Sequence, residues 1–141
     1  MKNLYTARAS STAGREGHTE TDDGKISLDL TKPGGAGTNP EQLFAAGYSA
    51  CFGSAVQAVA KKEGENITDV KVSAEIALNQ DEEGGFFLAA VLDVSMAGVE
   101  DSVAMDIVEK AHQMCPYSKA TRGNIDVTLR VNDRPVEAKA A

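Results

Sequence analysis

The sequence predicts a single α+β domain, residues 1–141, in which helices pack on antiparallel sheet. Three observations lead to this prediction. Two alternating stretches, Asp69–Leu78 and Phe86–Met96, flank an acidic loop with glycines and indicate a long β-hairpin. The stretch Leu43–Ala60 has no formal charge and is long enough for a buried helix. A chain of 141 residues with 42% hydrophobic and 25% charged residues suits one globular core.

The first third of the chain alternates short β-like stretches with turns. Strands are predicted at Asn3–Arg8, Thr19–Asp22 and Lys25–Leu30, and Asp23-Gly24 is a hairpin signal between the last two. One proline and three glycines follow in Thr31–Thr38, so this stretch is predicted to be a loop.

A long helix is predicted to run to about Lys62. Asn39 can cap its first turn, Pro40 suits the first helical position, and Glu41 complements the positive end of the helix. Gly64 stands just past its end. Small and apolar residues occupy all of its sides, so the helix is predicted to be central and surrounded by protein.

A membrane-spanning helix is the alternative for Leu43–Ala60. These 18 residues include glycine, serine and glutamine. At about 1.5 Å per residue they fall short of a hydrocarbon core of about 30 Å. The sequence therefore favours a helix buried within protein, and no membrane association is predicted.

The last third of the chain predicts one more helix and one more strand. The helix is predicted from Glu100, which opens a run of capping and acidic residues, to Cys115, because Pro116 disfavours helical geometry in the residue before it. The alternating stretch Asn124–Val131 is predicted as a strand, and the chain after Arg134-Pro135 as a loosely held tail.

The charge pattern argues against some partners and compartments. With 14 Lys and Arg against 21 Asp and Glu, the net charge is −7, so a phosphate backbone would meet repulsion and no nucleic acid is predicted to bind. Residues 1–8 reach a second basic residue before any apolar run develops. This is unlike a secretory signal, and a cytoplasmic protein is predicted.

The chain contains two cysteines, Cys51 and Cys115, 64 positions apart. Neither belongs to a C-x-x-C pair, and with two histidines the set lacks the spacing of a zinc site, so no metal is predicted. Spacing alone leaves two ordinary explanations open. The cysteines pack as small buried residues, or they form a structural disulfide.

The local settings of the two cysteines differ. Cys51 lies deep in the apolar helix, where burial raises its pKa and leaves it inert unless a cation is brought to it. The helix dipole does not supply that charge, because its influence fades within the first turn. Cys115 lies at a helix end before Pro116, where a side chain can swing toward another element. That position suits a resolving thiol.

Two long segments carry a family resemblance. Asn39–Phe52 (NPEQLFAAGYSACF) and Cys115–Asn124 (CPYSKATRGN) resemble the signature segments of the organic hydroperoxide resistance (Ohr) family within the OsmC superfamily. The match extends along most of the chain. Arg15 and the ending Thr121–Asn124 resemble the Ohr branch more than the OsmC branch.

The resemblance implies an activity and a set of site residues. Members of the family are thiol-dependent peroxidases that reduce organic hydroperoxides to alcohols. Matched by position, Cys51 is the peroxidatic nucleophile and Cys115 the resolving thiol, while Arg15 and Glu41 form the polar pair that activates Cys51. The family implies no bound cofactor, and dihydrolipoamide or a lipoylated protein as the reductant.

The resemblance also implies an OsmC-like fold, with antiparallel sheets around a long central helix, and an intertwined homodimer with sites at the subunit interface. Helix geometry agrees with a site built from two chains. Glu41 and Cys51 are ten positions apart, or about 15 Å along a straight helix, too far for direct contact between the carboxylate and the sulfur's surroundings. Either the start of the helix bends, or the parts of the site come from two chains, and the second option agrees with the resemblance.

A preference for organic over inorganic peroxide requires an apolar approach to Cys51. The candidates for this pocket, each of which also fits an ordinary core position, are Phe44, Phe52, Phe86, Phe87, Met114 and Tyr117. Tyr48 is predicted to be packing. His18 and His112 are predicted to be ordinary surface or hydrogen-bonded histidines, since a thiolate paired with arginine needs no general base.

Three alternatives to an Ohr-type peroxidase stay open. An OsmC-type peroxidase shares the chemistry and differs in reductant and pocket. A peroxide sensor uses the same thiols to signal to a partner. In a non-catalytic dimeric binding protein the thiols are incidental, and Cys51→Ser changes no biochemical property.

Overall fold

The computed structural model describes residues 1–136. The chain divides into two compact units, one formed by Met1–Leu43 and one that begins at Phe44. The boundary lies near the start of a long helix, α1 (Pro40–Lys62). That residues 1–141 form one domain stays a prediction.

The first unit contains a three-stranded antiparallel sheet in the order β1-β2-β3. Its strands are β1 (Ala9–Thr12), β2 (His18–Thr21) and β3 (Ser27–Asp29). The number of strands is as predicted, but the prediction of a strand at Asn3–Arg8 is wrong. Ala9 pairs with Thr21, the last residue of β2, so residues before Ala9 extend beyond the end of their partner strand.

The turn between β2 and β3 forms at the predicted hairpin signal. Gly24 has a φ of 74°, in the left-handed region that glycine adopts without steric cost. The Thr21 amide donates to the Ile26 carbonyl at 2.9 Å and closes the turn. The Asp23-Gly24 hairpin is therefore confirmed.

Helix α1 begins and ends where the sequence predicts. The side chain of Asn39 accepts a hydrogen bond from the Gln42 amide at 2.9 Å, which satisfies one free donor of the first turn. Gly64 follows the last turn with a φ of 72°. The cap, the proline and the glycine thus set both ends of the helix.

The burial of α1 differs from the prediction. The fully or nearly buried residues share one face of the helix: Tyr48, Phe52, Ala55, Val56, Val59 and Ala60. The helix is long and apolar enough to span a membrane by length and composition, and 33% of its apolar window is buried. Core helices pass the same test. The chain's own core thus covers one side of α1, and a helix surrounded by protein stays a prediction.

The second unit contains a four-stranded sheet in the order β4-β5-β6-β7. Its strands are β4 (Thr68–Gln80), β5 (Phe86–Ala97), β6 (Val127–Val131) and β7 (Arg134–Pro135). The long β4–β5 hairpin is antiparallel, as predicted. The pair β5–β6 is parallel, so the expectation of a wholly antiparallel sheet is wrong. The 98–126 segment supplies the long crossover that parallel strands require.

The crossover contains α2 (Asp101–Met114) and a short helix, α3 (Pro116–Thr121), which was not predicted from the sequence. Cys115 separates the two with extended backbone, so the predicted end of α2 at the residue before Pro116 is confirmed within one residue. Of the predicted tail, Val136 donates to the Leu129 carbonyl at 2.8 Å, and residues 137–141 lie outside the described residues.

Candidate active site

The two cysteines lie side by side in the second unit. Both are free thiols, and the Cys115 S–H donates to the Cys51 sulfur at an S–S separation of 3.3 Å. A disulfide bond is about 2.05 Å long, so the sulfurs are in non-bonded contact and need a shift of little more than 1 Å to bond. Residues 64 positions apart are thus placed for a reversible disulfide.

A break in helical structure between α2 and α3 brings Cys115 to Cys51. Cys51 lies in the middle of α1 and is partly exposed, whereas Cys115 is 0% exposed. Its extended backbone ends α2, with its amide donating to the Ala111 carbonyl, and Pro116 starts α3 at once. The chain therefore bends at Cys115.

The surroundings of Cys51 within this unit raise the pKa of its thiol. Burial is the main cause, because it disfavours the thiolate. The Tyr117 backbone amide donates to the sulfur and acts in the opposite direction, while the adjoining Cys115 thiol adds to the rise. A reactive thiolate here therefore needs a nearby cation, as the sequence predicts.

Arg15 and Glu41 form a bidentate ion pair in the first unit. The Arg15 Nη1 and Nη2 groups donate to Glu41 Oε2 and Oε1 at 2.8 and 2.6 Å. Arg15 lies in a short turn after β1, and Glu41 in the first turn of α1. The two donors lower the pKa of Glu41, so the carboxylate stays charged and fixes the guanidinium. Their role toward Cys51 stays a prediction.

The structure brings together two of the six predicted pocket residues. The rings of Phe44 and Tyr117 make an edge contact at 6.1 Å between centroids, and both contact Tyr48. A Cβ on Gly47 would lie 2.9 Å from the Tyr117 hydroxyl, so glycine allows this ring to lie against α1.

Of the other four predicted pocket residues, Phe52 contacts the same Tyr48 ring from within the core, and three lie elsewhere. Phe52 is 0% exposed and belongs to the core, so its ring presents no surface to a substrate. Phe86 and Phe87 are exposed at the start of β5, beside the hairpin loop. Met114 is exposed and lines a groove of about 580 Å³ with Lys62 and neighbouring residues.

The two histidines have different surroundings. His18 contacts Asp29 Oδ1 at 2.9 Å and Ser27 Oγ at 3.0 Å, so both ring nitrogens have partners, as predicted for an ordinary surface histidine. His112 has a buried Nδ1 without a partner among the described residues, and burial and the charge of Arg122 lower its pKa. The His112 side chain is partly exposed, but the expectation of a hydrogen bond does not hold for its Nδ1.

One polar cluster was missed at the sequence level. The Tyr48 hydroxyl, predicted as packing, contacts the hydroxyls of Ser118 and Thr121 in the core. Ser118 and Thr121 are three positions apart, a spacing that indicates one helix face. No local signal connects them with Tyr48. Among residues 1–136, no group of three His, Cys, Asp or Glu side chains is arranged to hold a metal ion.

Comparison with known proteins places this chain in a family. The OsmC-like protein family matches residues 33–130. The organic hydroperoxide resistance protein OhrB of Bacillus subtilis is 45% identical over 134 residues, which cover 91% of this chain and 98% of that protein. The chain is a member of the Ohr/OsmC superfamily. A second Ohr protein, from Xanthomonas axonopodis pv. citri, is 45% identical over 91% of this chain and 94% of its own length.

Solved structures confirm the OsmC-like α+β fold of this Ohr/OsmC member. The crystal structure of Bacillus subtilis OhrB gives a TM-score of 0.87 at 44% identity and covers 92% of this chain and 100% of that chain. An organic hydroperoxide resistance protein from Legionella pneumophila gives 0.88 at 47% identity, covering 92% of this chain and 98% of its own. The family resemblance read from the two signature segments is therefore confirmed.

Proposed function

We propose that this protein is a thiol-dependent peroxidase that reduces organic hydroperoxides to alcohols and so protects against oxidative stress. The observation that carries the proposal is the 3.3 Å contact between two free thiols on separate elements. The names of its relatives support organic hydroperoxides as the substrate class. In this proposal Cys51 is the nucleophile and Cys115 the resolving thiol.

The chemistry balances with these two thiols and one dithiol reductant. The Cys51 thiolate attacks one peroxide oxygen, the O–O bond breaks, and the alkoxide takes a proton and leaves as alcohol. Cys51 is then a sulfenic acid. The Cys115 sulfur attacks it, water leaves, and a disulfide forms. A dihydrolipoyl group, free or on a lipoylated protein, reduces the disulfide by two thiol exchanges.

Magnitudes indicate what Arg15 must contribute. A thiol of pKa about 8.5 is about 3% ionised at pH 7, and a pKa of about 6 raises this about thirtyfold. Nucleophilicity falls about thirteenfold over the same change, for a Brønsted slope of about 0.45. The net gain of about twofold is too small for a fast peroxidase. We therefore assign Arg15 a second role, donating to the peroxide oxygens as the O–O bond breaks, with Glu41 fixing its orientation.

A homodimer is part of the proposal. Within the described residues 1–136, one face of α1 is buried, although the helix is apolar on all sides. A second copy of the chain would cover the remaining apolar surface and place the sites at a shared interface.

The test is anaerobic titration of the reduced protein with cumene hydroperoxide, followed by intact mass. One equivalent is expected to remove two hydrogens from the wild type and to add one oxygen to Cys115→Ser, while Cys51→Ser stays unchanged. Stable addition of one oxygen to the wild type would show that Cys115 does not resolve the intermediate. Equal oxidation of Cys51→Ser would exclude Cys51 as the nucleophile.

A further inference from the structure

Three buried hydroxyl groups join α1 to α3. The Tyr48 hydroxyl lies 2.8 Å from Ser118 Oγ and 3.1 Å from Thr121 Oγ1. Thr121 Oγ1 also donates to the Ser118 carbonyl at 3.1 Å. Tyr48 and Ser118 are 0% exposed and Thr121 is 5% exposed, so these groups depend on one another for hydrogen bonds.

One arrangement of protons satisfies all three contacts. Each hydroxyl has a single proton to donate. Thr121 donates its proton to the Ser118 carbonyl, so it accepts from Tyr48. Tyr48 has then used its proton and accepts from Ser118. The hydrogen bonds run in one direction, from Ser118 to Tyr48 to Thr121. The Tyr48 hydroxyl is therefore the acceptor for Ser118 and the donor to Thr121.

The cluster lies next to both thiols along the chain. Tyr48 is three residues before Cys51 on α1, about one helical turn away. Ser118 is three residues after Cys115, in the short helix that the cysteine precedes. The hydroxyl cluster therefore connects the two segments that carry the sulfur atoms.

Helix α3 supplies two contacts to the Cys51 sulfur. One is the Cys115 thiol at its N-terminal boundary, and the other is the Tyr117 backbone amide. The Lys119 amide donates to the Cys115 carbonyl at 3.0 Å, which makes the cysteine backbone continuous with the helix. A displacement of α3 from α1 would therefore move both groups away from the sulfur.

We propose that Tyr48 is a positioning residue for the redox pair, whose hydroxyl ties α3 to α1 and holds the Cys115 sulfur against the Cys51 sulfur. Its consequence for turnover rests on the proposed peroxidase function. The sulfur contact itself is independent of any substrate.

The position of the Cys115 sulfur affects which of two competing reactions the Cys51 sulfenic acid undergoes. In one reaction the Cys115 sulfur bonds to the Cys51 sulfur, the S–O bond breaks, and the oxygen leaves as water with the thiol proton. In the other, a second hydroperoxide transfers an oxygen to Cys51, which becomes a sulfinic acid, and an alcohol leaves. The first depends on the local concentration of Cys115, so Tyr48 favours the disulfide.

The first experiment needs no peroxide. The reduced protein is equilibrated with reduced and oxidised dithiothreitol at pH 7, alkylated, and its disulfide fraction read by intact mass. Tyr48→Phe is expected to lower the effective concentration of the thiol pair about tenfold, which corresponds to a shift of about 30 mV in the reduction potential of the pair. Val131→Ala is the control, because it opens the core at β6, a strand that contributes no hydroxyl to the cluster, and should leave the equilibrium within twofold.

The second experiment adds excess cumene hydroperoxide, and Tyr48→Phe is expected to accumulate several times more sulfinic acid than the wild type or Val131→Ala. Ser118→Ala should give the same shift in the dithiothreitol equilibrium. It replaces Tyr48→Phe as the test variant if Tyr48→Phe does not fold. The proposal would be overturned if Tyr48→Phe and Val131→Ala both had a lowered melting temperature and their dithiothreitol equilibria either shifted by the same factor or did not shift at all. If the equilibrium depends on Tyr48 but hydroperoxide leaves Cys51 unmodified, the positioning role stands and the peroxidase function fails.

Discussion

Phe52 offers a direct test of which aromatic residues face the substrate. Its ring is 0% exposed and contacts the rings of Tyr48 and His112, each at 6.4 Å between centroids. A shape change to leucine in a packed core costs up to about 1.5 kcal/mol, and lost aromatic pairing adds about 0.5–1.5 kcal/mol. Phe52→Leu is therefore expected to destabilise the protein by about 0.5–3 kcal/mol and to lower its melting temperature by about 2–9 °C.

The assay measures stability and substrate preference on the same samples. Urea unfolding of the reduced protein gives the free energy of unfolding, and peroxidase kinetics give the ratio of kcat/KM for cumene and tert-butyl hydroperoxides. Phe44→Leu is the matched control, since it makes the same change on the same helix at a partly exposed ring beside Tyr117.

Opposite outcomes are expected for the two variants. Phe52→Leu should lose stability and keep the kcat/KM ratio within twofold, because a buried core ring does not touch the peroxide. Phe44→Leu should change the ratio and lose less stability. A tenfold change in the ratio for Phe52→Leu, with its urea midpoint unchanged, would refute the assignment of this ring to the core.

Four further predictions concern charge, assembly and reductant. Arg15→Ala is expected to raise the pKa of Cys51, read from the ultraviolet absorbance of the thiolate against pH; identical curves for both proteins would contradict the role of Arg15. Because Arg15 lowers the pKa of Glu41, their ion pair stabilises the fold at pH values above the ordinary carboxyl pKa. This stabilisation is lost as the pH falls toward the lowered pKa of Glu41. Glu41→Gln should flatten acid unfolding over that range, and an unchanged profile would count against the pair. Light scattering at micromolar concentration should give twice the chain mass of 14.8 kDa, whereas a single-chain mass would exclude the dimer. Turnover should be faster with dihydrolipoamide than with thioredoxin, and the reverse order would favour the OsmC-type alternative.

Much of the secondary structure could be predicted because its signals act over a few residues. Asn39, Pro40 and Gly64 mark the ends of α1 through capping and backbone geometry. The bend at Cys115 follows from the proline after it. The strand predicted at Asn3–Arg8 failed for the opposite reason, since the length of its partner strand decides where pairing stops.

The candidate site depends on packing between residues far apart in the chain. The family resemblance indicated Cys51 and Cys115, but their contact requires the bend before α3, which no spacing between the two residues encodes. Tyr48 reads as packing in the sequence because its hydroxyl partners, Ser118 and Thr121, are 70 and 73 positions away. Burial removes water from these hydroxyls and makes each depend on the others, and that dependence exists only once α3 has packed against α1.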